Sequence, residues 1–229
     1  MREINDDNPI MEREGIDFET TLLTRVFTWM VIGLAITAIT SYVALATDAL
    51  LSMVLSGAFF VLIIIELILV FVLSSRVYKM SFASAAVCYA VYAVLNGLTI
   101  SAILLYFELT TIAAAFGVTA GMFGAMALYG YVTKKDLTTM GSIAIMALFG
   151  LIIASIVNLF MRSTGLDIIL TYAGVLIFVA LTAYDVQRIK ALSQANPGMD
   201  NLAIAGALTL YLDFINLFLK ILRLMGRRR

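Results

Sequence analysis

"AYDVQRIKALSQANPGMDNLAIAGALTLYLDFINLFLK", residues Ala183–Lys220, carries one apolar run into another through a polar turn. Asn196-Pro197-Gly198 stops any helix that reaches it, because proline lacks the amide hydrogen and its ring clashes with the preceding turn. Both flanks are apolar enough to be helical, so the stretch reads as a helical hairpin. Each arm holds a carboxylate, Asp185 or Asp213. A charge at mid-bilayer costs at least ~2.5 kcal/mol, so an acid there calls for a role. Counted from Pro197, Asp185 lies 12 residues before and Asp213 16 residues after. At about 1.5 Å per helical residue the two depths differ by only ~6 Å, about one turn. The arms are neighbours because they are joined, so the two acids can share one site if both face inward.

Outward from the hairpin, the 229-residue chain is 62% hydrophobic and 13% charged, with a mean hydropathy of +1.03. Soluble domains are roughly half apolar and a quarter charged, so this is a membrane protein. Apolar runs of about 20 residues span the hydrocarbon core. Six are clear, at about 26–46, 50–73, 82–107, 110–132, 140–161 and 168–184, and a seventh, 202–225, contains Asp213, Asn216, Lys220 and Arg223. Short links such as "SSRVYKM" and "TKKDLTT" make consecutive spans antiparallel neighbours. The expected fold is an all-α membrane protein, a seven-helix bundle over residues 26–226. It follows an acidic cytosolic tail at 1–25, expected to be mobile, and precedes a basic tail at 227–229.

Orientation follows from Lys and Arg in short loops. With the N-terminus cytoplasmic, the inner segments hold Arg25, Arg76, Lys79, Lys134, Lys135, Arg188 and Lys190, among others, and the outer loops hold only Arg162. The "GRRR" ending then falls outside, against the rule, which leaves the side of the C-terminus open. Gly117 and Gly121 form a GxxxG in the fourth span, with Gly124 and Ala125 beyond. Such small residues are expected to serve packing inside the bundle, a dimer contact being the other reading.

Two carboxyls a few ångströms apart in poorly hydrated surroundings resist ionising together and titrate as one unit. Such a pair changes charge without histidine, of which the chain has none. Deprotonated, it offers the oxygen ligands that hard cations such as Ca²⁺ prefer. The structural alternative is that each acid bonds separately to a neighbouring helix, with Tyr184, Tyr211 or Asn216 as partner. Arg76 ends the second span on the side of Asp185, where it is either a latch on that carboxylate or an ordinary interfacial anchor. Lys79, one turn on, competes for the latch. Glu66, within "IIIELIL", is either a further ligand on an ion route or a buried protonated acid bonded to another helix.

"AYDVQRIK" at Ala183–Lys190 and "ALTLYLDFINLFLKILRLMG" at Ala207–Gly226 resemble the transmembrane Bax inhibitor motif family, particularly its bacterial members. "YGYVTKKDLTTMGS" at Tyr129–Ser142 and "NGLTIS" at Asn96–Ser101 extend the likeness over nearly the whole chain. The resemblance implies a bundle in which six helices surround the last. It also implies a pH-sensitive calcium leak in the bacterial inner membrane, gated by Asp185 and Asp213. The family's latch falls on Arg76, although counting back from "NGLTIS" points nearer Lys79. Calcium and protons would be the cargo and signal, with no tightly bound cofactor.

Other functions fit less well. Intramembrane aspartyl proteases pair a "YD" with a GxGD, and Tyr184-Asp185 meets only the first half, so no enzyme is expected. Zinc hydrolases need histidine. A retinal protein would use Lys220 but would have Trp29 as its sole tryptophan. No GxxxxGK[ST] is present for ATP-driven transport. Zero net charge without a basic domain makes nucleic acid an unsuitable partner. The main rival is a membrane regulator that restrains a protease or death-pathway factor through its acidic tail. A calcium/proton exchanger also suits a proton-binding pair.

Overall fold

The computed structural model describes residues 9–47, 58–196 and 198–226. They form seven long helices: α1 (Pro9–Ala46), α2 (Ala58–Arg76), α3 (Phe82–Leu104), α4 (Leu109–Val132), α5 (Thr138–Met161), α6 (Thr164–Ala195) and α7 (Asn201–Met225), with a 3₁₀ turn at Val77–Lys79. All seven are long and apolar enough to cross a membrane. Helix α1 begins at Pro9, so much of the segment expected as a tail continues the first span as helix. Residues 1–8 and the arginines at 227–229 lie outside the described residues.

Helix ends follow local chemistry. Ser81 caps α3 by accepting from Ser84 N at 3.2 Å, and Ser163 caps α6 by accepting from Leu166 N at 3.3 Å. Such caps satisfy amides that have no partner within the helix. In the link to α5, fully exposed Asp136 accepts from Thr138 N at 2.8 Å. The Thr138 side chain and backbone together hold its carboxyl below the usual carboxylate range. Helix α5 ends at Arg162 in the left-handed region, φ 52°. Helix α6 runs on to Ala195, eleven residues past the apolar run read from the sequence, because Ile189 and Ser193 still find buried positions.

The last helix is the core. In its most apolar window 78% of α7 is buried inside the protein, against 11–39% for the other six spans. Lipid gives apolar helices no hydrophobic reason to associate, so close packing and polar contacts must hold them together. Ala203, Ala207 and Gly206 let one half of α7 approach its neighbours, and a Cβ on Gly206 would meet Val26 and Ile189 at 3.0–3.3 Å. Bulky aromatics fill the other half: Tyr211 stands edge-on to Tyr89 and Tyr92, and Phe214 to Phe123, with ring centroids 5.4–5.9 Å apart. Helices α1, α3, α4 and α6 all pack on α7, whereas α5 packs chiefly on α6 and stands to one side.

One end of the bundle, here the near end, carries the 77–81, 133–137 and 196–200 links. It is tied by polar contacts. The Asn201 amide donates to Val77 O and Met80 O. Gln187 joins α6 to the α4–α5 link, accepting from Leu137 N and donating to Lys135 O, each at 2.8 Å. Arg25 pairs with Asp200 at 2.7 Å.

The glycines of α4 correct one expectation. A Cβ on Gly117, Gly121 or Gly124 would meet nothing within 4 Å, so the GxxxG faces outward and does not pack the bundle. The close approach on this helix is made by Gly130 instead, where a Cβ would stand 2.2 Å from the backbone oxygen of Ala183.

Candidate functional site

Asp185 on α6 and Asp213 on α7 are both buried, at 7% and 5% exposure. Both line the same cavity and act on each other electrostatically across the joint between α6 and α7. The hairpin count is therefore realised in space: adjoining helices, similar depth, both side chains turned inward. Oδ2 of Asp213 is fully buried and has no hydrogen-bond partner among the described residues. Two ionised carboxylates have only acceptor atoms, so a bond between them exists only when one carries a proton. Asn216, weighed as a partner, instead donates to Leu212 O of its own helix at 2.8 Å.

The pair lines a cavity of about 680 Å³ between α5, α6 and α7. This is the gap left because α5 stands away from α7. Its wall is mostly apolar, with Leu148, Ile152, Phe178 and Leu212 prominent, and Arg188 and Lys220 join the two aspartates on it. Ile152, Ile156 and Leu159 of α5 are exposed, so the cavity opens sideways as well. Through Ser155 and Leu159 it adjoins a second cavity of about 640 Å³, lined by Asn158, Arg162, Asp167 and Arg223. Polar side chains thus recur along one side of α7 from Arg188 to Arg223.

The structure does not bring Arg76 to Asp185. Arg76 is exposed at the end of α2, and neither it nor Lys79 forms an ion pair with either aspartate. The cation beside Asp185 is Arg188, three residues further along α6. The signal for Arg188 in the sequence is its spacing of about one helical turn from Asp185.

Glu66 belongs to a different polar centre. It is buried and accepts from the Asn96 amide and from Thr99 Oγ1, the latter at 2.6 Å. Asn96 Oδ1 accepts from the Tyr211 hydroxyl at 3.0 Å, and that hydroxyl also bonds Thr37 at 2.6 Å. The chain of contacts links α2, α3, α7 and α1 on the opposite side of α7 from Asp213. Of the two readings of Glu66, the geometry matches the buried acid bonded to another helix, since Glu66 is absent from the walls of the aspartate cavity.

The chain that folds into these seven spans has relatives. Residues 19–229 match the family described as inhibitor of apoptosis-promoting Bax1. The chain belongs to that family. It is 43% identical to the inner membrane protein YbhL of Escherichia coli over 97% of each chain. It is 41% identical to an uncharacterized protein of Borreliella burgdorferi over 95% of this chain and 97% of that one. It is 37% identical to the uncharacterized protein YrjE of Lactococcus lactis over 97% of each. Membership in the Bax1 inhibitor family makes it a multi-pass membrane protein consistent with a regulatory or channel role.

Proposed function

We propose that the protein is a pH-sensitive passive cation leak, with calcium as cargo, in a bacterial inner membrane with its N-terminus cytoplasmic. The observation that carries this reading is the meeting of Asp185 and Asp213 inside a cavity that adjoins a second one leading to Arg223. When the pair holds a proton, the carboxyls satisfy each other and close on themselves. When the proton leaves, two like charges are forced together where water is scarce, which favours separation of α6 from α7 or entry of a cation between them. Arg188 and Lys220 are the charged groups that share this wall and set the local field.

The pair suits passage better than storage. Calcium takes six to eight oxygens, and two carboxylates offer at most four. Among the described residues no group of three His, Cys, Asp or Glu side chains gathers anywhere. A calcium ion would keep several waters here and leave readily.

Calcium entry into proteoliposomes loaded with an indicator dye tests the reading. Flux should run down the calcium gradient, vary with pH, and continue when no proton gradient is imposed. Uphill calcium movement driven by an imposed proton gradient would mean exchange instead, and no flux at any pH would remove the channel reading altogether.

A further inference from the structure

At the far end of the bundle, Arg162 and Arg223 line one small cavity of about 310 Å³ with Asn158, Ser163, Thr164 and Asp167. Arg162 stands at the turn that closes α5, and Arg223 lies on the last turn of α7. Asp167 offsets one positive charge, pairing with Arg223 at 3.1 Å. Arg162 forms no ion pair among the described residues. Lys220, on the same helix as Arg223, lines the neighbouring aspartate cavity and not this one. Two guanidinium groups face one carboxylate in this cavity, which leaves a net positive site that attracts an anion.

What adjoins the small cavity identifies the anion's class. Arg162, Arg223, Asp167 and Asn158 also line the 640 Å³ cavity, whose remaining wall includes apolar Leu159, Phe160 and Leu170. Through Ser155 and Leu159 that space continues into the trough between α5 and α7, whose inner wall carries the aspartates and whose apolar outer edge at Ile152, Ile156 and Leu159 is open sideways. A soluble anion would make no use of the trough. A molecule with an anionic phosphate at one end and a hydrocarbon chain at the other matches both parts. Basic pockets between membrane helices recognise acidic headgroups in this way.

We propose that this far-end groove between α5, α6 and α7 is a binding site for one anionic phospholipid. Its phosphate sits between Arg162 and Arg223, and an acyl chain lies along the open outer edge of the trough on Leu159, Ile156 and Ile152, clear of the two aspartates. The guanidinium groups bind the phosphate oxygens through paired N–H donors, which lysines could not reproduce geometrically. Asp167 holds the Arg223 side chain in place, leaving Arg162, unpaired among the described residues, as the partner for the phosphate.

Native mass spectrometry of the full chain, purified in detergent and given phosphatidylglycerol or phosphatidylcholine, tests the site without requiring conduction. The wild-type chain should retain one phosphatidylglycerol and little phosphatidylcholine. Arg162→Gln, which breaks no ion pair, should weaken retention several-fold, and Arg162→Gln/Arg223→Gln by roughly tenfold or more. Lys134→Gln/Lys135→Gln, which removes the same charge from the near end, should leave retention unchanged. Equal retention of the two lipids, or an Arg162→Gln chain that binds like wild type, would overturn the proposal. So would displacement of the lipid by inorganic phosphate at equal concentration, or loss of retention only in a chain ending at Gly226, which would assign the binding to the arginine tail.

Discussion

Asp213→Asn in proteoliposomes is expected to pass calcium at a rate that scarcely changes with pH, where the wild-type rate changes several-fold. Asparagine keeps the size of the side chain and its hydrogen-bonding reach, so packing around α7 is preserved. It permanently donates from its amide nitrogen to Asp185, which imitates the proton-sharing pair, and it has no proton to release near neutrality. The switch is therefore held in one state. Asp185→Asn should act alike, because the proton belongs to the pair and not to either residue. Glu66→Gln is the informative contrast. Glu66 is bonded to Asn96 and Thr99 on the other side of α7, so its replacement should leave the pH response in place. A wild-type pH response in both aspartate variants would remove the gating role.

Gly130→Ala is expected to be strongly destabilising, although alanine is the better helix former. The new Cβ would stand 2.2 Å from the Ala183 oxygen and 2.9 Å from its Cα, and neither backbone atom can rotate away. Helices α4 and α6 would have to part, and α6 carries Asp185 two residues beyond the contact. Overpacking typically costs about 1–3 kcal/mol, and a clash against backbone belongs at the top of that range. Gly121→Ala, on the same helix, meets nothing within 4 Å. It should be neutral or stabilising by about 0.5–1 kcal/mol through helix propensity. Thermal unfolding in detergent measures both, and a Gly130→Ala chain as stable as Gly121→Ala would show that α4 and α6 do not pack as described.

The contrast between these two glycines marks the boundary of what the sequence disclosed. Seven spans were legible because each apolar run is long enough to cross the bilayer and polar links separate them. The aspartate pair was legible because Asn196-Pro197-Gly198 fixes a turn from which depth can be counted on both arms. Which side of a helix faces the bundle was not legible on α4. Lipid and protein interior are equally apolar, so no polar stripe distinguishes Gly121 from Gly130. The same reasoning covers α5, whose apolar sequence gave no sign that it would stand off α7 and open a cavity. On α7 the inward side was legible from Asp213 alone; Tyr211, weighed as a partner for an aspartate, turns the other way and bonds Asn96 and Thr37. The Arg76 latch rested on family likeness and on position at a span end. In the structure Arg188 is the positive group next to Asp185, as a neighbour one turn along the same helix must be.

The account turns on a single hydrogen held between Asp185 and Asp213, and infrared spectroscopy of the purified protein reads it directly. At neutral pH, against a Glu66→Gln background that removes the other buried acid, the chain should show a protonated-carboxyl C=O band that moves on transfer to heavy water and is lost or displaced when Asp185→Asn or Asp213→Asn is added. A spectrum with no such band, or one in which it survives unshifted in both variants, would contradict the shared proton and the gate built on it.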